Sequence, residues 1–158
     1  MKSMKNTLKN SLVVCCFLLV VFSAFFAGKG SEELKKIIFT DKAPKPIGPY
    51  CQAVVADDFI FCAGQIATNP ATGQLDTTNI ENETKQVMEN ISAVLAAAGV
   101  KTDHIVKGTI YMTDLKNFKS INDVYGNYFK ESPAAREAVQ VAALPKGAHV
   151  EISVIAVK

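Results

Sequence analysis

Two periods run through the hydrophobic positions of this chain. Between positions 80 and 98, Ile80, Thr84, Val87, Met88, Ile91, Val94, Leu95 and Ala98 recur at i, i+4, i+7 and i+8, the stripe of an amphipathic helix. Thr77, Thr78 or Asn79 can cap its start, and Gly99 can end it. Glu81 and Glu83 suit its positive end. A second stripe of Phe118, Ile121, Val124, Tyr125 and Tyr128 predicts a helix over 117–129. Strand-like runs occupy 37–40, 50–56, 59–67, 105–113, 138–144 and 150–157. Asp57-Asp58 joins the second and third of these tightly, and Leu144-Pro145-Lys146-Gly147 joins the last two. Pro44, Pro46, Gly48 and Pro49 make 42–49 an irregular loop. Asn69-Pro70-Ala71-Thr72-Gly73 is a turn.

The predicted order is β-β-β-α-β-α-β-β, an α+β domain in which each helix links strands and can form a right-handed crossover. Two helices cover only one face of a mixed sheet. Yet the last run carries Val150, Ile152 and Val154 on one side and Ile155 and Val157 on the other. The uncovered face must be buried by other copies of the chain, which predicts an obligate oligomer.

Charge divides the chain at about residue 30. Residues 1–30 hold Lys2, Lys5, Lys9 and Lys29 and no acid, with an apolar stretch over 11–27. This segment is expected to be an export signal or, uncleaved, a membrane anchor, so that the body is exported or membrane-tethered. Residues 31–36 are a polar linker and 37–158 the domain. Setting the four leader lysines aside from 17 basic residues leaves 13 against 15 acidic, and the formal charge moves from +2 to −2. The body therefore offers no electrostatic case for binding nucleic acid.

Cys15 and Cys16 fall in the leader. If the strands around Asp57-Asp58 pair as a hairpin, Cys62 faces Ala53 and Cys51 faces Gly64. The two thiols are then diagonal neighbours at ~7 Å, too distant for an easy disulfide. No cysteine or histidine cluster has metal-site spacing. His104 and His149 have no acidic partner at an obvious spacing. Asn82-Glu83-Thr84 and Asn90-Ile91-Ser92 match the glycosylation sequon, by chance on the default reading.

The candidate chemistry starts from one residue. The chain has sixteen lysines and a single arginine, Arg136. A guanidinium grips a carboxylate through two parallel hydrogen bonds that an ammonium cannot match. Glu151, near the start of the last strand, is a carboxylate able to handle a proton, and partial burial would raise its pKa towards a useful value. The competing readings are a solvated surface charge for Arg136 and a strand-edge carboxylate paired with lysine for Glu151.

Three segments, Ile47-Gly48-Pro49-Tyr50, Ala63-Gly64-Gln65-Ile66 and the stretch from Arg136 through Leu144-Pro145-Lys146 to Val150-Glu151-Ile152, resemble the Rid family, also called YjgF or L-PSP proteins. The resemblance covers 37–158 and is nearest to the RidA branch of imine and enamine deaminases. It implies a chorismate-mutase-like fold, a homotrimer with a barrel-like centre, and sites in the clefts between subunits. It further implies hydrolysis of reactive 2-imino acids, such as 2-iminobutanoate and 2-iminopropanoate, to 2-oxo acids and ammonia. In that scheme Arg136 clamps the substrate carboxylate, Glu151 positions the hydrolytic water, and Tyr50 closes the cleft. Gly64, Asn122 and the main chain at Ala138 line the pocket. Two positions depart from the pattern: Ala63 stands where many relatives have serine, and Ala138 where many have cysteine. The segment before Arg136 also looks a few residues shorter.

A protonated imine is already a good electrophile, so this chemistry needs no metal or cofactor, only orientation, a placed water and a proton carrier. Two other functions compete. One is a non-catalytic protein that binds small carboxylates or 2-oxo acids in the same cleft. The other is an endoribonuclease, a label the family often carries, against which the charge of the body argues.

Overall fold

Six strands form one mixed sheet in the order β1-β2-β3-β6-β4-β5: β1 (Lys36–Ile38), β2 (Ala53–Ala56), β3 (Phe59–Gln65), β4 (Ile105–Met112), β5 (Ala135–Gln140) and β6 (Val150–Val157). Among the described residues two α-helices, α1 (Ile80–Ala97) and α2 (Phe118–Gly126), complete the β-β-β-α-β-α-β-β order. The computed structural model describes residues 34–129 and 131–158. The leader, with its apolar stretch over 11–27, lies outside the described residues, and so do residues 31–33 of the linker. Among the described residues no helix is long and apolar enough to cross a membrane.

Local chemistry accounts for the elements. The Asn79 side chain caps α1 by accepting from the Asn82 amide at 2.8 Å. Gly99, at φ +89°, takes the left-handed position beyond the helix's end. Asn69 braces the following turn by accepting from the amides of Ala71 and Thr72. The β2–β3 hairpin turns at Asp57-Asp58 with Ala53 opposite Cys62, the expected register. Cys51 and Cys62 are both free thiols.

Alternation along β6 defines the two faces of the sheet. Val150, Ile152, Val154 and Ala156 are buried, while Glu151, Ser153, Ile155 and Val157 are half-buried. The first set joins Ile60, Ile110 and Met112 beneath Val87, Met88 and Ile91 of α1 and Ile121 and Tyr125 of α2. Each aliphatic side chain buried there contributes ~1.5–3 kcal/mol. On the other face, Phe59 and Phe61 remain 48% and 46% exposed, their rings 6.2 Å apart. That is the uncovered face the strand pattern foretold.

Two expectations need correction. β5 spans Ala135–Gln140, not 138–144, so Arg136 lies inside a strand. This edge strand runs parallel to β4 from Lys107↔Ala135 to Met112↔Gln140 and is exposed at nearly every position, so no apolar alternation marked it. The second helix is shorter than 117–129, beginning at Phe118 after a 3-10 turn at Leu115–Asn117. Phe118 is not buried as expected but 40% exposed.

Candidate functional site

A cleft of about 370 Å³ opens where the 42–49 loop meets the end of β3. Ile47, Tyr50, Gly64, Gln65, Ile66 and Lys146 are among its lining residues. Gln52, almost fully buried, holds the loop in place. Its amide nitrogen donates to the carbonyls of Thr40, Ala43 and Pro44, and its oxygen accepts from the Thr40 amide. One side chain thereby satisfies a loop whose prolines have no amide hydrogens to offer. Tyr50 is not a core aromatic: it is 53% exposed, and its hydroxyl accepts from the Ile47 amide at 3.3 Å.

Gly64 sits at the irregularity between Cys62 and Gln65, where the β3–β6 register shifts. The Glu151 side chain lies across it. A β-carbon at position 64 would stand 2.9 Å from the Glu151 carboxyl carbon and closer still to Oε1. Only a glycine leaves room for the carboxylate there. Burial raises the pKa of Glu151. The alternative reading, an ion pair with lysine, does not describe it: among the described residues no salt bridge reaches Glu151.

A second cluster gathers round the arginine. Arg136 donates from Nη1 to Asn122 Oδ1, and its guanidinium carbon stands 5.4 Å from the Phe118 ring centroid and 5.7 Å from that of Tyr125. Phe118, Asn122 and Tyr125 follow one another at i, i+4 and i+7 on α2, a single stripe presented to the guanidinium. This explains both the exposure of Phe118 and the polar position at Asn122. Beneath lies Gly108, paired with Arg136 in the β4–β5 ladder. A β-carbon there would come within 2.5 Å of the Tyr125 hydroxyl, which is buried and, among the described residues, without a hydrogen-bond partner. Arg136 is therefore not one loosely solvated charge among many. Ala138, two residues on, packs against the core on the same side of β5.

The clusters lie on opposite faces of the sheet. Arg136 pairs with Gly108, whose neighbours Ile110 and Met112 point to the helices, whereas Glu151 pairs with Tyr111, which points away. Within one chain Gly64 adjoins both Glu151 and the cleft that Tyr50 lines, while Arg136 meets Asn122 two residues from Ala138, so the two groups lie on opposite faces of the sheet.

Sequence reasoning missed one contact beside Glu151. His149 does have an acidic partner. Its ring Nδ1 lies 2.9 Å from Oε2 of the fully buried Glu83, 66 residues earlier. No local spacing could reveal a pair that α1 and β6 bring together. Buried Asn90 likewise bonds to the carbonyls of Ile66 and Thr68, so the second sequon holds an internal strut. Among the described residues no group of three or more acidic, cysteine or histidine side chains is arranged to hold a metal.

Comparison with known proteins places this geometry. A family model described as Endoribonuclease L-PSP matches residues 40–158. The chain is 49% identical over 125 residues to a RutC family protein of Pyrococcus horikoshii, covering 79% of this chain and 99% of that one. It is 48% identical over 128 residues to the 2-iminobutanoate/2-iminopropanoate deaminase of Bos taurus, covering 81% and 93%. The crystal structure of E. coli TdcF with bound serine superposes with a TM-score of 0.75 at 40% identity, covering 78% of this chain and 98% of that one. The two helices over a six-stranded mixed sheet are the chorismate-mutase-like fold of these proteins. The chain belongs to the Rid family, the YjgF/RutC or L-PSP proteins.

Proposed function

We propose that this protein is a hydrolytic deaminase that converts 2-iminobutanoate, 2-iminopropanoate and their enamine tautomers to 2-oxo acids and ammonia. The observation that carries the reading is the Glu151 carboxylate, half-buried against Gly64, itself a lining residue of the cleft, and free of any salt bridge among the described residues. The deaminase name of the bovine relative supports the same chemistry. TdcF, whose structure holds serine, supports a ligand with a small amino acid's carboxylate.

In this reading Arg136 binds the substrate carboxylate through its fork, and Phe118 and Asn122 hold the fork in place. Glu151 accepts a proton from water as the oxygen attacks C2 of the imine. The resulting carbinolamine releases ammonia, and the proton held by Glu151 serves the departing nitrogen. Tyr50 closes the cleft, and the main chain at Ala138 faces the water. Because Arg136 and Glu151 lie on opposite faces of one sheet, a working site takes Arg136, Asn122 and Ala138 from one copy and Glu151, Gly64 and Tyr50 from another. A homotrimer with Phe59 and Phe61 facing its centre meets that need and covers the exposed face.

The test mixes the purified protein with a threonine dehydratase and threonine. Release of 2-oxobutanoate is followed while a nucleophilic trap competes for the imine. Acceleration that disappears in Arg136→Ala supports the deaminase; no acceleration by a folded oligomer overturns it. Retained binding of 2-oxobutanoate in an inactive protein points to the carboxylate-binding alternative. The family model's description keeps RNA cleavage in view, and loss of such cleavage in Glu151→Ala would revive that reading.

A further inference from the structure

The candidate base is held from behind by a residue of α1. Glu83 is fully buried, yet it is a charged residue type that cores reject unless its oxygens are satisfied. Here they are. Oε1 accepts the His149 amide at 2.6 Å and the Val150 amide at 3.3 Å, and Oε2 meets His149 Nδ1 at 2.9 Å. These are the two residues immediately before Glu151. At the start of β6 the His149 carbonyl is taken by the Thr113 amide, while its own amide turns to Glu83. Seven residues along the same face of α1, Asn90 holds the carbonyls of Ile66 and Thr68, which line the cleft just past Gly64. One helix face thus fixes both backbone segments between which the Glu151–Gly64 contact is made.

We propose that Glu83 is a positioning residue for Glu151, its buried carboxylate setting the entry of β6 and hence the place of the base over Gly64. The inference rests on the deaminase reading above. Its contacts are to backbone amides, so the requirement is for an acceptor at the right reach rather than for a charge. The His149 ring, half-exposed, supports the carboxylate from one side and is dispensable for the register.

Four variants of the full chain test this, each compared with the parent by kcat, KM and oligomer size. Glu83→Ala removes the acceptor and lowers kcat at least about tenfold with KM within about twofold, because a shift of an ångström at a catalytic group costs that much or more. Glu83→Asp withdraws the acceptor by one methylene, keeps the charge and lowers kcat in the same sense. Glu83→Gln keeps an oxygen in reach and restores most of kcat, and His149→Ala leaves it nearly unchanged. Parental kcat in a folded Glu83→Ala or Glu83→Asp oligomer overturns the proposal, as does a loss in His149→Ala equal to that in Glu83→Ala. If the parent hydrolyses no imine, the deaminase reading falls instead, and the anchor is judged by hydrogen exchange. Amides of 149–151 that exchange at least about tenfold faster in Glu83→Asp support it, and unchanged exchange overturns it.

Discussion

The Glu151 carboxylate occupies the space that a side chain at Gly64 would need. A β-carbon at position 64 would meet the carboxyl carbon at 2.9 Å and Cγ at 3.2 Å. The obstacle is the end of a flexible side chain rather than backbone, so Glu151 can move aside. Gly64→Ala is therefore expected to fold with a Tm close to the parent's and to lose imine hydrolysis by about tenfold to 100-fold, as the base is displaced. Thermal melts and initial rates on one preparation check both halves. A large fall in Tm would mean that the contact is structural.

Burial of Glu151 favours its neutral form and raises its pKa above the ordinary glutamate value. A base must be ionised, so activity is expected to fall as pH drops through that raised value, at higher pH than a solvent-exposed glutamate would titrate. Stability has the opposite sense. A carboxyl whose folded-state pKa is raised favours folding most below its unfolded pKa, and the contribution is lost as pH rises through the folded pKa. Glu151→Gln should thus melt higher than the parent in mildly alkaline buffer, with the difference vanishing in acid. A pH series of kcat and paired melting curves tests the two signs together.

The features of the site that could be read from the chain were those carried by residue type. A lone arginine among lysines, a carboxylate in a run of valine and isoleucine, and the apolar stripe of α1 all have local signatures. The uncovered face was legible too, since Ile155 and Val157 alternate with the core set on β6. What stayed hidden depends on pairing across the sheet. β5 is an exposed edge whose residues are set by the β4 ladder rather than by their own hydrophobicity. Glu83 looked like a favourable charge near a helix start, and only the packing of α1 on β6 buries it against His149. Gln52 gave no signal at all, because its three carbonyl partners lie in a loop without regular structure.

In the proposed site Arg136 would offer a substrate carboxylate two parallel hydrogen bonds, which a lysine cannot, while its guanidinium carbon stands 5.4 Å from the Phe118 ring centroid. Arg136→Lys keeps the charge and loses the fork. One charge-assisted bond is worth about 1.5–3 kcal/mol, so kcat/KM should drop by about tenfold to 100-fold, mostly through KM. Calorimetric binding of 2-oxobutanoate should weaken in parallel. An unchanged KM would remove Arg136 from the carboxylate site.

Gly108 and Tyr125 form the floor under that arginine. Among the described residues the buried Tyr125 hydroxyl has no hydrogen-bond partner, and a β-carbon at 108 would press on it at 2.5 Å. Burial also raises the phenol's pKa, against the opposing pull of Arg136, so the hydroxyl stays protonated at neutral pH. Gly108→Ala is expected to destabilise the protein by about 1–3 kcal/mol through overpacking. Tyr125→Phe, which removes an unsatisfied polar atom while keeping the ring, should be neutral or slightly stabilising. The double variant should recover most of what Gly108→Ala loses, since the clash is with the deleted oxygen. Urea melts of the four proteins give the coupling directly. Simple additivity of the two single changes would show that the hydroxyl is not what Gly108 makes room for.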